Sequence, residues 1–180
     1  MHTMLVDMDG VLVNCKRSVY VAYRQACLED GIVLNKDAFQ KCLWGKTWKD
    51  GLGSLFPNLD ELSLLRIKLR KDNYFLQCKV EVNEPVVEMV IDLSRMGYPI
   101  HIVSSASYEA NEHKLRFLPV CLSMVPRTHS APKGMEVFWR QFMDRHNYKF
   151  AVLFDDDRRV CEAAKAQGIK AICIDSLEDL

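Results

Sequence analysis

Two acidic segments, a pair of serines and one lysine carry most of the chemistry this sequence can offer. Asp7-Met8-Asp9-Gly10 follows the apolar run Met4-Leu5-Val6, and Asp155-Asp156-Asp157 follows Phe150-Ala151-Val152-Leu153-Phe154. Ser104-Ser105 closes Ile100-His101-Ile102-Val103, and Lys133 stands in a later loop. Carboxylates are hard oxygen ligands that suit magnesium, which keeps several waters and uses only one or two of them. A hydroxyl and an ammonium beside such a cation make a place for an anionic group. Just past a strand, residues two apart point the same way, so Asp7 and Asp9 can face one substrate. One can attack phosphorus as a nucleophile while the other handles the leaving-group proton. An Asp-x-Asp pair alone equally suits a solvated loop. The serines, lysine and triple aspartate at successive strand ends favour a site.

Those residues converge only if the apolar runs are neighbouring strands. Strands are expected at 4–6, 100–103, 150–154 and 171–174, with a further short strand over Val120–Val125. Between them, helices are expected from Asn83 and Pro85 to Met96, after Ser107, over Met135–His146, and from Arg158 to Gln167 with Gly168 closing it. Strands alternating with helices imply a parallel sheet covered on both faces, with ligands outside the carboxyl ends of the strands. The fold class is therefore α/β, a three-layer parallel-sheet core.

Residues 15–80 break this alternation, because they contain no strand candidate. Val19 to Leu28 reads as a helix ending at Gly31, and Asn35 can start a second that holds Phe39 and Leu43 and stops at Gly45. Thr47-Trp48-Lys49-Asp50 has the spacing of a capping box, with Asp in the third place. Leu62, Leu65, Leu69 and Leu76 mark one face of a longer helix through Gln77. The expected organisation is a core of residues 1–14 and 81–180 and a small helical cap of residues 15–80.

Composition removes several function classes. The chain has 180 residues, with 24 Lys plus Arg against 24 Asp plus Glu, so no global basic field draws it to nucleic acid. Hydrophobic residues at 49% and charged residues at 27% argue for a packed domain rather than disorder. No apolar run approaches the ~20 residues that span a bilayer, and Asp7 interrupts the first apolar run too early for a signal peptide. A cytoplasmic protein is expected. The seven cysteines are scattered without a Cys-x-x-Cys, which fits reduced thiols and disfavours zinc. His2, His101, His113, His129 and His146 form no paired ligand spacing, and only His129 lies in the loop before Lys133. Gly45-Lys46-Thr47 lacks the earlier glycine of a phosphate-binding loop, since Gln40 occupies that place.

Asp7-Met8-Asp9-Gly10-Val11-Leu12 after an apolar strand resembles the first motif of the haloacid dehalogenase (HAD) superfamily. Ile100 to Ser104 resembles the second motif, Lys133 the lysine of the third, and Val152-Leu153-Phe154-Asp155-Asp156 the acidic fourth. Glu162 to Gly168 is similar to the helix that follows it, and the helical region matches a cap inserted after the first motif. The resemblance implies that Asp7 is the nucleophile forming an aspartyl-phosphate and also a metal ligand. It makes Asp9 the general acid/base, with its backbone carbonyl in the metal shell. Ser104, Ser105 and Lys133 then bind the phosphoryl group, Asp156 is the principal metal acid, and Asp155 supports it. Asp157 is left as a solvent-facing or helix-starting residue.

Asp9 also separates this chain from the dehalogenating branch, which lacks the second aspartate. Gly45-Lys46-Thr47-Trp48 resembles the loop that leans over the site in β-phosphoglucomutase-like members. Trp48 replaces the arginine with which the mutase grips a second phosphate. Lys46 and Trp48 are accordingly the cap's candidates for substrate selection, although Trp44 and Trp48 equally suit packing between helices. The implied function is a phosphatase using Mg2+ on a small phosphorylated metabolite, such as a nucleoside monophosphate or a sugar phosphate. No nucleic acid polymer or membrane is expected as a partner, and the expected state is a monomer or homodimer. The alternatives are a phosphotransferase or phosphomutase of the same fold, or a non-catalytic protein binding a phosphorylated ligand.

Overall fold

A computed structural model describes residues 2–174. Met1 and residues 175–180, which the expected core boundaries include, lie outside the described residues. In chain order the elements are β1 (Thr3–Val6), β2 (Val13–Asn14), α1 (Lys16–Leu28), and α2 (Lys36–Ala38), which runs into a π-helical turn over Phe39–Leu43. Then come α3 (Trp48–Leu55), α4 (Glu61–Phe75), β3 (Glu81–Val82), α5 (Glu84–Arg95), β4 (Ile100–Val103) and α6 (Tyr108–Leu115). The chain continues through α7 (Val120–Ser123), β5 (Arg127–Thr128), α8 (Glu136–His146), β6 (Ala151–Asp155), α9 (Arg158–Lys165) and β7 (Lys170–Cys173). Among the described residues, 2–14 with 80–174 form one compact unit and 15–79 form another.

The first unit is a five-stranded sheet in the order β5-β4-β1-β6-β7, with every pairing parallel. The expected α/β core is present. The chain winds outward from β1 through β4 to β5, then returns to the other side of β1 for β6 and β7. The strand order thus reverses at β1, the kind of place where open α/β sheets hold their ligands. Register aligns the strand ends, because Val6 pairs with Ile102 on one side and Phe154 on the other. Asp7 therefore lies level with Val103 and Asp155.

Both faces of the central strands β4, β1 and β6 are dry, as a parallel sheet requires. Leu5, Val103 and Leu153 pack on one face with Trp139 and Phe142 of α8 and Val160, Cys161 and Ala164 of α9. The alternate residues Met4, Val6, Ile102, Val152 and Phe154 are also buried. A separate antiparallel pair, β2 with β3, sets Val13 opposite Val82 and Asn14 opposite Glu81. Neither of these two-residue strands was expected from the sequence.

One expected strand is corrected. Val120–Ser123 is a short helix that starts after Pro119, and the strand falls instead at Arg127–Thr128, just past Pro126. Both prolines accommodate this, and pairing with β4 decides it. Pro119 has φ −54°, compatible with entry into a helical turn. The Pro126 carbonyl accepts from Ile102 N at 2.9 Å and opens the pairing with β4.

Within the sheet, His101 is 1% exposed. Its Nδ1 meets the Tyr148 hydroxyl at 2.9 Å and its Nε2 the Thr128 hydroxyl at 3.0 Å, while the rings of Phe142 and His146 pack edge-on and against it. Burial, helped by the nearby His146, pushes the His101 pKa down to about 4. The unfolded imidazole, near 6.5, therefore binds a proton that the folded one refuses between these values, so folding stability falls as pH drops through that window. Relative to His101→Gln, the wild type should lose about 3 kcal/mol more between pH 7 and pH 4, read from urea midpoints. Parallel losses would show that this ring stays neutral for no energetic reason.

In the helical unit, α1 packs along α4 around Tyr23, Ala26, Cys27, Phe39, Leu52, Leu64 and Ile67. Asn35, Thr47 and Asp60 each accept a backbone N–H at the start of a helix, as their side chains favour. The α4 helix lies where expected, but the buried face is not the expected one. Leu62, Leu65, Leu69 and Leu76 are exposed, whereas Leu64, Ile67 and Phe75 are buried. Lys71 interrupts the buried stripe and disguises it in the sequence. Its ammonium lies 5.3 Å from the Tyr23 ring centre and 5.8 Å from that of Phe75, a cation–π solution to a charge beside a core. Arg70 adds an ion pair to Glu29 at 2.8 Å and to Asp30 at 3.0 Å. Trp44 and Trp48 are half-buried against this same core, while Lys46 is exposed.

Candidate active site

The carboxyl edge of the sheet is acidic and mostly dry. Asp7 is 5% exposed and Asp155 is fully buried, and a carboxylate oxygen of each lies within 4.8 Å of the other and of one from Asp156. Lys133 resolves much of the repulsion. Its Nζ stands 2.7 Å from Asp7 Oδ2 and donates to Asp155 Oδ2 at 2.6 Å. Met8 N donates to Asp7 Oδ1 at 2.7 Å and Asp157 N to Asp155 Oδ1 at 3.0 Å, so backbone amides hold the second oxygen of each.

Burial is the largest influence on these groups. It drives the Asp7 pKa up to about 7; Lys133 opposes the rise, and Asp155 and Asp9 add to it. Asp156 rises to about 6, again by burial first and then by Asp155. Burial pulls Lys133 the other way, but the charges of Asp7 and Asp155 outweigh it and hold the ammonium protonated well above the usual lysine range. One cation among three carboxylates leaves negative charge uncompensated.

Gly10 makes room for this crowding. Its φ is +81°, and an added Cβ would sit 2.0 Å from Asp156 Oδ2, so an L side chain fits neither the backbone nor the space. The loop it serves is tight: Leu12 N and Val13 N both donate to the Met8 carbonyl, and Gly10 N donates to Val13 O. That curl carries Asp9 away from the three clustered acids. Its side chain meets Lys114, whose Nζ donates to Asp9 Oδ2 at 2.5 Å.

The serines lie at the tip of β4 in a neighbouring network. Ser104 is buried; its hydroxyl donates to Asn111 Oδ1 at 3.0 Å and accepts from Ala106 N at 3.1 Å. Asn111 Nδ2 donates to Ala106 O and lies 2.9 Å from His129 Nδ1, which therefore accepts. Burial, with help from Arg127, keeps the His129 pKa low, consistent with that neutral acceptor. Ser105 donates to Ala131 O at 2.9 Å, and Lys133 N donates to the same carbonyl at 2.8 Å. Trp139 Nε1 then donates to Lys133 O at 2.7 Å. Together these bonds clamp the loop that aims the lysine.

Asp7, Asp155, Asp156 and Lys133 are thus brought together, with Asp9 one turn of loop away and Ser104 and Ser105 bracing the lysine loop. Asp157 starts α9, accepting from Arg159 N at 2.8 Å and pairing with its guanidinium. Sequence reasoning missed Asn111, Lys114 and Trp139. Asn111 and Lys114 sit three apart on a helix after Ser107, a spacing that marks one shared face but does not say whether solvent or protein covers it.

Residues 4–174 match the haloacid dehalogenase-like hydrolase family, and the chain belongs to that family. It is accordingly an enzyme. No curated protein matches the chain in sequence. Among solved structures, CbbY from Rhodobacter sphaeroides in complex with phosphate is similar at a TM-score of 0.78 and 14% identity, covering 100% of this chain and 90% of that one. A protein from Haemophilus somnus 129PT, predicted to be a phosphoglycolate phosphatase, is similar at 0.83 and 13%, covering 98% and 86%. A provisionally assigned β-phosphoglucomutase from Thermotoga maritima is similar at 0.77 and 22%, covering 100% and 88%. These likenesses carry the fold. No described helix is long and apolar enough to cross a membrane.

Proposed function

We propose that the protein hydrolyses a small phosphomonoester with Mg2+ as cofactor, through an aspartyl-phosphate on Asp7. The observation that carries this reading is the Lys133 ammonium shared between Asp7 and Asp155 beside Asp156. A carboxylate aimed by an ammonium can serve as a nucleophile, and Lys133 favours its ionised form against the effect of burial. Its oxygen forms the bond to phosphorus as the ester P–O bond breaks, and Asp9 gives its proton to the departing oxygen. Asp9 then takes a proton from water as that water attacks phosphorus, releasing inorganic phosphate and restoring Asp7. Lys133 binds the phosphoryl oxygens, Ser104 and Ser105 join it by turning their hydroxyl protons from Asn111 and the Ala131 carbonyl toward the bound group, and Asp155 keeps Lys133 in place.

The donor set fits a hard divalent cation. Asp7 and Asp156 offer oxygens only, the Asp9 carbonyl would complete the set, and a dication would favour the ionised form of carboxyls that burial keeps protonated. When bound, magnesium neutralises charge spreading over the phosphoryl oxygens. Residues 15–79 serve as the substrate-selecting cap, with Lys46 and Trp48 its specificity residues. The bound molecule is a nucleoside monophosphate or sugar phosphate, which Trp48 would recognise by ring stacking or apolar contact. Seven free cysteines fit a reducing cytoplasm.

Phosphate release from a panel of phosphomonoesters, with magnesium and with EDTA, tests the function. Turnover should require magnesium, and undiminished turnover in chelator would falsify the metal assignment. Metal binding also has a readout independent of activity. In the cation-free protein the folded carboxyls hold protons up to about pH 7 and pH 6 that the unfolded chain has released by pH 5. Those two groups therefore cost stability as pH rises through that window. Magnesium relieves the cost and competes with the protons, so its thermal stabilisation should be larger at pH 8 than at pH 5.5. A hundredfold excess over Kd corresponds to ~2.7 kcal/mol. A shift independent of pH would place the ion elsewhere.

A further inference from the structure

The buried positions of α6 include Asn111, His113 and Lys114 beside Leu115, an unusual load of polar groups for the inner side of a helix. The Lys114 side chain is 3% exposed. An ammonium is buried at high cost unless a counter-charge meets it. Here the counter-charge is Asp9, at 2.5 Å. The Asp9 side chain is 31% exposed and stands on the curled loop just past β1. Asn111, one turn earlier on α6, reaches the Ser104 hydroxyl. One helix face therefore delivers an amide to the tip of β4 and an ammonium to the loop after β1.

We propose that Lys114 is a positioning residue for Asp9, fixing one carboxylate oxygen so that the other meets the ester oxygen of the leaving group. This rests on the reading of Asp9 as the proton donor. Charge-assisted hydrogen bonds are short and directional, which suits such a task. The gain is one of geometry: general acid help of ~10²–10⁴-fold requires a donor within hydrogen-bond reach, and a misplacement of about 1 Å costs ~10²-fold. The effect must depend on the leaving group. A p-nitrophenolate departs with little proton assistance, whereas an alkoxide needs it.

The test compares kcat/KM, which reports the steps up to departure of the leaving group and not the shared hydrolysis of the phosphoenzyme, on p-nitrophenyl phosphate and on glycerol 2-phosphate for wild type, Lys114→Met, Lys114→Gln, Asp9→Asn and the double variant Asp9→Asn/Lys114→Met. Either Lys114 variant that folds should lose ten- to a hundredfold on the alkyl ester and only a few-fold on the aryl ester. The double variant should be no slower than Asp9→Asn alone, because a lost partner cannot be positioned. Equal losses on both esters, multiplying losses in the double variant, or no loss at all would overturn the proposal while leaving Asp9 as the acid. A flat leaving-group profile in Asp9→Asn itself would overturn both readings together. Melting temperatures of the variants give the stability cost separately, and that cost does not sort substrates by leaving group.

Discussion

Asp7→Asn should abolish turnover, by at least ~10³-fold, and with it any acid-stable phosphoenzyme, because an amide oxygen does not attack phosphorus. The fold should survive. Burial already holds the ionised Asp7 carboxyl at a disadvantage, with its pKa near 7, and Lys133 keeps Asp155 as a partner at 2.6 Å when the Asp7 charge is removed. The variant should therefore melt no lower than the wild type in EDTA. Asp9→Asn should behave differently, losing the ~10²–10⁴-fold of general acid/base help yet still accepting a phosphoryl group from an aryl ester. Rapid-quench labelling with an aryl phosphate separates the two: label on Asp9→Asn and none on Asp7→Asn. Near-normal turnover by Asp7→Asn would end the covalent mechanism.

Lys133→Met has the largest expected effect on the fold. The substitution keeps the length of the side chain and removes the one cation that bridges Asp7 and Asp155, which are 5% and 0% exposed. Removing one member of a buried charged group typically costs about 3–5 kcal/mol, because the remaining charges are left uncompensated. The sign with pH follows from the carboxyls. Without the ammonium the Asp7 pKa rises further above that of the unfolded chain, so the variant loses stability faster than the wild type as pH climbs from 5 to 8, and the penalty should be larger at the higher pH. Urea midpoints of variant and wild type at both values check this, in EDTA so that no cation substitutes for the lysine. A penalty equal at both would mean that Lys133 contributes packing alone. Turnover should fall as well, since Asp7 loses the group that aims it.

The parts of the site legible in the sequence are those announced by strand ends. Asp7, Ser104 and Asp155 each follow an apolar run, and once those runs pair in parallel, their register brings the three to one edge. Lys133 was legible only through its family motif, because its placement depends on Ser105, Ala131 and Trp139 holding a loop, and loop geometry leaves no period in a sequence. Lys114 and Asn111 were hidden for another reason. Polar residues three apart on a helix usually mark its wet side, and only tertiary contact shows that this side is covered. The α4 helix misled in the opposite sense: four leucines at helical spacing face solvent, because the stripe completed by Lys71 is the one that α1 covers. The misplaced strand near residue 125 turned on two prolines, each compatible with either conformation until β4 supplied a neighbour.

The short antiparallel pair of Val13–Asn14 with Glu81–Val82 has a consequence for how such an enzyme diversifies. It sets the exit and return of the chain side by side, with Asn83 N donating to Leu12 O at 2.9 Å as a further stitch. Seen from the sheet alone, the path is a hairpin whose turn has been enlarged into residues 15–79. Enlarging a loop whose ends are already joined is cheap, about 0.6 kcal/mol for each doubling of its length. What is inserted there is therefore nearly invisible to the strands that align Asp7 with Asp155. Helical modules can be exchanged at this point while the register that sets Asp7 level with Asp155 stays as it was.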